Sequence, residues 1–593
     1  MSAGSTTGPA RTYPRQRWVI AAQHTPEAAS LARAAHLPQV LAELLIGRGI
    51  SSAQEALAFL YPDISHLHDP LSMKGMAIAV ERVECAIAAR EPILLYGDYD
   101  VDGTTAVVLL KTAIEMLGGV VRFHVPHRIR EGYGLQSGVL EAAYADGVRL
   151  VITVDTGMRA FAEAETARQL GLDLIVTDHH LPAANDAVPN ALAILNPNQS
   201  GCTYPEKSLC GAAIAFKLAQ GLLERRDAAR TREKTLPSFL KMAAIATIAD
   251  AVPLRGENRA IAALGLRELR RPVGAGLRAL FQAAAIDPTS KPITGFDVAF
   301  RLAPRINAAG RMDVASEIVE LFCTRDAARA GELAAKLEAL NRQRRDAEAQ
   351  ALAIIDARLA ADTTFASDRL LIVDGDGWHR GVIGILASRV VERTAKPAIV
   401  ISVEDGVAHG SGRSIDGFPL LEAIETCSDL FTRFGGHAFA VGFAMPADRL
   451  PALRRRVNVH ACERLAGTEP EQVLKIHAEL PLDRITPVLA GWMHKLEPLG
   501  HGNPEPVFVA RRARVVSTPR LMKDRHIRLE LAQDGATSGG VMRCVGWDWA
   551  GRCTALELAA GSVVDVAYRI RENDHPDFGG IEIEIAGLQP SQD

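Results

Sequence analysis

Short apolar runs recur at Ile93–Tyr96, Val120–Val125, Leu150–Val154, Leu172–Val176 and Ala191–Leu195, and segments of helical periodicity such as Thr105–Leu117 and Ala160–Leu170 lie between most of them. Strand-length apolar runs that alternate with helices predict βαβ units on a parallel sheet. Ahead of them the chain reads as helical up to about Arg90, with the first eighteen residues a frayed arm. Residues 208–290 are mostly helical, and Ala327–Leu359, Ala-rich and charged at helical period, predicts one long solvated helix joining two globular parts. A second α/β pattern follows, with strands at Leu370–Val373 and Ala398–Ser402 around a helix at Val382–Arg393. From about Glu469 the pattern favours β structure, at Val507–Val516, His526–Leu531, Ser538–Val545, Val563–Ile570 and Gly580–Ile585. Five short strands with turn signals fit a small β-barrel. No internal repeat is visible.

Composition narrows the class. At roughly 100–200 residues per domain, 593 residues make about three to five folding units. With 48% hydrophobic and 23% charged residues, bulk disorder is excluded. No apolar run approaches the roughly 18–20 uncharged residues that cross a bilayer, and the N-terminal residues lack the apolar stretch of a secretion signal. The expectation is a cytoplasmic protein with no membrane partner. The eight cysteines form no CxxC, so they read as reduced, packed thiols rather than a zinc site or redox pair. A net charge of −4 argues weakly against a nucleic-acid partner. The 66 basic residues, however, divide into 12 Lys and 54 Arg, and Arg grips phosphate with a fork that Lys lacks. A genome rich in G and C accounts for most of that excess, so charge has to be read locally.

The chemistry-bearing positions sit where the predicted strands end. Asp98-Tyr-Asp100-Val-Asp102-Gly follows the strand Ile93–Tyr96. Three alternate carboxylates are costly unless a cation neutralises them. A calcium loop of EF-hand type needs Glu at its twelfth position, which here is Leu109. Asp155 ends the strand Leu150–Val154, Asp178-His179-His180 ends Leu172–Val176, and Asp250 follows a helical run in Ile-Ala-Asp-Ala-Val-Pro. Ligands on parallel sheets gather beyond the carboxyl ends of the strands, so the first three groups converge on one edge, and Asp250 can join them if its helix packs there. A mixed Asp and His set suits Mn²⁺, then Mg²⁺; zinc prefers fewer ligands. With at least five ligands, two ions bridged by one carboxylate are expected, the usual device for in-line displacement at phosphorus.

These motifs, in this order and spacing, resemble the DHH phosphoesterase family. The later motifs Arg305-Ile-Asn307-Ala-Ala-Gly310-Arg311-Met312, Gly377-Trp378-His379-Arg-Gly-Val-Ile-Gly384, Gly410-Ser411-Gly-Arg413-Ser414 and Gly435-Gly436-His437 extend the resemblance over roughly residues 15–590. It implies an α/β protein: a helical extension over 1–90 packing on the catalytic unit, a parallel-sheet DHH catalytic unit over 91–325, a connecting helix over 326–368, a DHHA1 unit over 369–465 and an OB-like barrel over 466–593. It implies metal ligands at Asp98, Asp100, Asp102, Asp155, His179 and Asp250, with Asp155 the bridge and His180 catalytic. Asp98 and His180 are either ligands or residues that orient ligands, and Asp178 belongs with the latter. Members with the long helix and the barrel imply a metal-dependent exonuclease that degrades single-stranded DNA 5′ to 3′, releases 5′-mononucleotides and serves DNA repair and recombination. The alternatives are a phosphodiesterase of short oligonucleotides or cyclic dinucleotides, and a non-catalytic single-strand-binding scaffold. The partners the resemblance implies are a single-strand-binding protein and a RecQ-like helicase, with the chain itself a monomer.

Substrate-holding positions follow from the same combination. Ser411, Arg413, Gly436 and His437 pair Gly-rich backbone with a bidentate cation. Arg305, Asn307 and Arg311 are expected to serve phosphates from the first unit, and Gly377–Gly384 reads as a structural or cleft-lining segment without assigned chemistry. Arg128, Arg130 and Tyr133 offer charge and one stacking ring. In Arg511–Arg528, seven basic side chains (Arg511, Arg512, Arg514, Arg520, Lys523, Arg525 and Arg528) face one acid, Asp524. That is the local basic surface the net charge conceals.

Overall fold

Strands β1 (Pro92–Tyr96), β2 (Val120–His124), β3 (Leu150–Val154), β4 (Asp173–Thr177) and β5 (Ala193–Leu195) lie in the order β2-β1-β3-β4-β5, every neighbour parallel. This computed structural model describes residues 15–591 except 23, 129, 133, 272, 313–314, 468–470, 534–539 and 574–578. The apolar runs form strands because both faces of the sheet are covered. Ile93 and Leu95 of β1, with Leu150, Ile152 and Val154 of β3, enter a core shared with α1 (Met76–Ala89), α2 (Val101–Met116), α4 (Gly211–Arg230) and α5 (Leu236–Ala249). Leu94, Tyr96 and Val151 point the other way, into a second core with α3 (Phe161–Leu170) and the helix Ser137–Ala145. The strand order reverses between β1 and β3, the switch point beyond which ligands bind on such sheets.

The chain divides into two compact units, one of residues 24–341 with 491–505, the other of the described residues up to 22 with 342–490 and 506–593. The division falls inside α7 (Ala327–Ala361), a 35-residue helix. The start of the chain departs from expectation. Arg15–Ile20 is a strand, paired in parallel with Glu471–Ile476, so the last four residues of the expected frayed arm, from Arg15, are ordered by a backbone partner remote in sequence, and the rest of that arm lies outside the described residues.

In the second unit β6 (Leu371–Asp376), β7 (Ala398–Glu404), β8 (Val407–Arg413), β9 (Arg433–His437) and β10 (Ala440–Pro446) lie in the order β9-β10-β8-β7-β6. Only β6 and β7 are parallel, and α8 (Ile383–Thr394) connects them. The Gly-rich motifs Gly410–Arg413 and Gly435–His437 therefore lie in strands. On β8 the buried face is Ala408, Gly410 and Gly412, because the Phe443 ring lies where a Gly410 side chain would be, 2.0 Å from an added Cβ.

The C-terminal strands close on themselves. Phe508–Val515, Val563–Asn573, Gly580–Pro590, Met542–Gly546 and His526–Gln533 pair in that order, and the last pairs back onto the first. Ring closure of five strands is the barrel expected from the turn spacing. All eight cysteines are free. Among the described residues no helix is long and apolar enough to cross a membrane.

Candidate metal centre

The loop between β1 and α2 carries the first carboxylates. Asp100 is the N-cap of α2 and accepts the Gly103 N–H at 3.0 Å. Gly103 is required, since a Cβ there would stand 2.5 Å from the Asp98 backbone nitrogen. Asp102, 1% exposed, accepts the N–H groups of Gly211 at 2.6 Å and Ala212 at 2.8 Å. These are the first two residues of α4, whose orphan donors and dipole suit an anion. One carboxylate thus locks α2 to α4 at the floor of the site.

Asp155 follows β3 with φ +60°, a left-handed conformation that costs a non-glycine residue on the order of 1 kcal/mol or more and persists only where its surroundings enforce it. Its N–H is held by the Thr177 carbonyl at 2.9 Å. His179 Nε2 stands 3.2 Å from Asp155 Oδ1 and 3.9 Å from both Asp102 Oδ2 and Asp250 Oδ2. Asp178, buried, accepts the Met158 N–H at 2.8 Å and, on its other oxygen, the His180 N–H at 3.1 Å and Nδ1 at 2.7 Å. It therefore orients His180 and the turn after Asp155, and it stands in none of the clusters that offer ligand atoms.

Among the described residues those clusters are three: Asp155, His179 and His180; Asp102, His179 and Asp250; Asp98, Asp100 and Asp155. Within each, the potential ligand atoms lie within 4.8 Å of one another. Burial, then the Asp100 charge, pushes Asp98 up to about 7. Burial, then Asp102 and Asp100, pushes Asp250 up to about 9. Asp100 and Asp155 are raised by burial and by neighbouring carboxylates. Asp178 is the exception: burial pushes it upward, but the hydrogen bonds and charge of His180 and the Met158 N–H leave it lowered. Two buried acceptors, Asp98 Oδ1 and Asp155 Oδ1, receive no hydrogen bond. Buried, mutually repelling carboxylates with oxygens lacking donors are what divalent cations neutralise, so the donor set fits metal.

Several expected substrate residues have other occupations. Arg305 is paired to Glu338 at 2.6 Å and donates to the Ala283 carbonyl. Asn307 Oδ1 accepts the Val101 N–H at 3.0 Å. Gly310 lets α6 (Ala303–Met312) approach the Tyr99 carbonyl, 2.3 Å from an added Cβ. This motif braces the metal loop. Arg311 lies near enough for its charge to act on Tyr99, and the Arg128 guanidinium covers the Tyr99 ring at 4.9 Å. Arg130 is exposed, and Tyr133 lies outside the described residues.

In the second unit the backbone of β8 is flanked by β7 and β10. Its neighbours on both sides take its N–H groups into the sheet ladder, so on β8 it is the Ser411 and Arg413 side chains that are offered to an anion. Ser411 and Arg413 share the opposite face of β8 and reach the start of α8, where an added Cβ on Gly384 would stand 3.2 Å from Ser411 Oγ and 3.3 Å from an Arg413 nitrogen. The end of the Gly377–Gly384 motif thus packs against these two side chains. Gly436, at φ +151°, and His437 lie on the edge strand β9.

The sequence reading missed three kinds of support. Gly211 is packed against Asp155, so that an added Cβ would stand 2.5 Å from the Asp155 Cβ. Asn196 and Asn198 hold the His180 and His179 carbonyls at 2.8 and 3.2 Å; an Asn-Pro-Asn directly after a strand was the available signal. In the barrel, Arg511 pairs with Asp565 at 2.7 Å and Arg525 with Asp548, so the basic stretch is partly neutralised by acids distant in sequence.

Comparison with known proteins decides the family. Residues 92–247 match the DHH family, N-terminal domain, residues 363–460 the DHHA1 domain and residues 476–586 the RecJ OB domain. A single-stranded-DNA-specific exonuclease RecJ of Dickeya dadantii is 36% identical over 93% of this chain and 96% of that protein. The chain belongs to the RecJ family of single-stranded-DNA-specific exonucleases. RecJ of Bacillus subtilis is 36% identical over 90% of this chain, which spans 66% of that longer protein. The crystal structure of Thermus thermophilus RecJ with Mn²⁺ superposes with TM-score 0.81 at 28% identity, covering 98% of this chain and 80% of that one. A structure of the same RecJ with Mg²⁺ gives 0.76 at 28% identity, covering 98% and 79%.

Proposed function

We propose that this chain removes nucleotides from single-stranded DNA, 5′ to 3′, as 5′-mononucleotides, with two divalent ions at the carboxylate centre, Mn²⁺ preferred and Mg²⁺ the alternative. The observation that carries the reading is the sharing of Asp155 and His179 between ligand clusters, the arrangement two neighbouring ions need. Asp98, Asp100, Asp102, Asp155, His179 and Asp250 would hold them, with His180 at the edge. When bound, such ions supply Lewis acidity to the scissile phosphate and lower the pKa of water. The protein's own part is rigidity. Two backbone N–H groups fix Asp102, the Gly103 N–H fixes Asp100, and Asp178 fixes the His180 ring. Pre-oriented ligands keep the reacting groups in register without reorganisation.

Ser411, Arg413 and His437, with Arg128 and Arg311, would hold substrate phosphates, and the exposed Arg514, Arg520 and Arg528 would hold the strand. A single-strand-binding protein and a RecQ-like helicase would supply that strand, with the chain a monomer in the cytoplasm.

The deciding experiment offers a long end-labelled single strand, its duplex and a dinucleotide, with Mn²⁺ or with EDTA. Expected are 5′-label release as a mononucleotide from the single strand, a spared duplex and no reaction in EDTA. Turnover of the dinucleotide with the long strand intact would replace this reading by the short-oligonucleotide one. Undiminished degradation by Asp155→Ala would overturn the site.

A further inference from the structure

Residues 495–504 form a strap inside the catalytic unit that ties down the turn leaving Asp250. Asp250 ends α5, and Ala251 takes φ +57°. Among the described residues no hydrogen bond orients the Asp250 carboxylate; its neighbour is His179 Nε2 at 3.9 Å. Its place is therefore set by the backbone on both sides of it: the end of α5, where its own N–H donates to the Ala246 carbonyl at 2.8 Å, and the turn that leaves the helix. That backbone meets the strap at once: the Leu254 N–H donates to the His501 carbonyl at 2.8 Å, and Arg255 Nε to the Gly502 carbonyl at 2.9 Å. Gly500 and Gly502 allow the approach, since added Cβ atoms would stand 2.8 Å from Leu254 and 2.9 Å from Pro253.

The strap is held with unusual investment. Arg259, 2% exposed, donates to the carbonyls of Lys495, Leu496 and Glu497 at 2.8–3.0 Å and to that of Pro498 at 3.4 Å. Arg48 donates to Asn503 Oδ1 and the Pro504 carbonyl, each at 2.8 Å. Fully buried Asn503 closes the strap on itself through the Leu496 and Pro498 carbonyls at 2.8 and 2.9 Å. Two buried guanidinium groups spent on main-chain and amide oxygens are expensive unless the conformation they fix is needed.

We propose that this strap is a positioning element of the metal centre: it fixes Pro253–Arg255 and, through that turn, the Asp250 carboxylate. The inference rests on the reading of the carboxylate cluster as a metal site. Its test is Mn²⁺ affinity of the full chain, followed by the electron-spin signal of free Mn²⁺, with melting and single-strand affinity measured in EDTA. Gly502→Ala pushes on Pro253 and should weaken Mn²⁺ binding about tenfold or more, leave single-strand affinity unchanged, and lose activity that saturating Mn²⁺ restores. Arg255→Ala, at an exposed position, should weaken Mn²⁺ binding less, and it keeps the test alive if Gly502→Ala does not fold. Leu41→Ala, in the helical N-terminal part of the same unit, should lower melting without changing Mn²⁺ affinity. Parental Mn²⁺ affinity in whichever of Gly502→Ala and Arg255→Ala folds, or an equal loss in Leu41→Ala, overturns the proposal. Parental affinity in Asp155→Ala would overturn the metal centre itself, a separate outcome.

Discussion

Asp102 accepts the N–H of Gly211 at 2.6 Å, so one carboxylate of the candidate centre is also the anchor of the helix that follows. Gly211 in turn has no room for a side chain, because a Cβ would stand 2.6 Å from Asp155 Oδ1. Two candidate ligands, one in the first turn of α2 and one after β3, are thus spaced by one glycine. Gly211→Ala should displace Asp155, lower stability by about 1–3 kcal/mol through overpacking, and reduce single-strand degradation at least tenfold at limiting Mn²⁺. Initial rates against Mn²⁺ concentration, with a urea melt, check both parts.

The metal-free protein should lose stability as pH rises. Asp98 and Asp250 are raised from the ordinary 3.8 to about 7 and about 9 in the folded state. Between the unfolded and folded values the native state holds more protons than the unfolded one, so stability is greatest below about pH 4 for these groups and declines through about 7 and 9. In EDTA the melting temperature should therefore fall from pH 6 to pH 9, and saturating Mn²⁺ should remove most of that fall. A flat profile in EDTA would show that the carboxylates do not repel one another as the geometry requires.

Asp178→Asn keeps the shape of the side chain but weakens its hold on the His180 ring and on the Met158 N–H. Mn²⁺ affinity should drop about 10–100-fold, the range for partners that orient ligands. Single-strand binding in EDTA should be unchanged. Titration calorimetry with Mn²⁺ and an anisotropy assay separate the two.

Arg520 and Arg528 stand directly opposite each other on paired antiparallel strands, a like-charge pair that disfavours the sheet until an anion lies across it. Arg528→Ala should weaken single-strand binding and reduce the slope of log affinity against log salt by about 0.7, the single-strand value for one phosphate contact. Arg525→Ala should change the slope less, because Asp548 already neutralises it. Binding titrations over a range of salt concentrations test the contrast.

The sequence by itself determined what local pattern can carry. Apolar runs of strand length fixed β1 to β5, helical periodicity fixed α7, and carboxylates placed just after strands announced the centre, because side-chain chemistry and strand direction are read over a few residues. Tertiary structure alone decided which groups share a partner. Gly410 and Gly412 read as a glycine-rich anion cradle until Phe443 covers the first, and Leu420 and Val441 the second. Asn307 and Arg305 look like phosphate ligands until α6 lies against the metal loop and Glu338 takes the charge. Arg15–Ile20 becomes a strand only because Glu471–Ile476 offers it an edge, and the strap at 495–504 matters only because Arg259 and Leu254, more than 200 positions away, hydrogen-bond to its carbonyls. Backbone donors and buried charges must find partners wherever the fold puts them, and spacing along the chain does not record that distance.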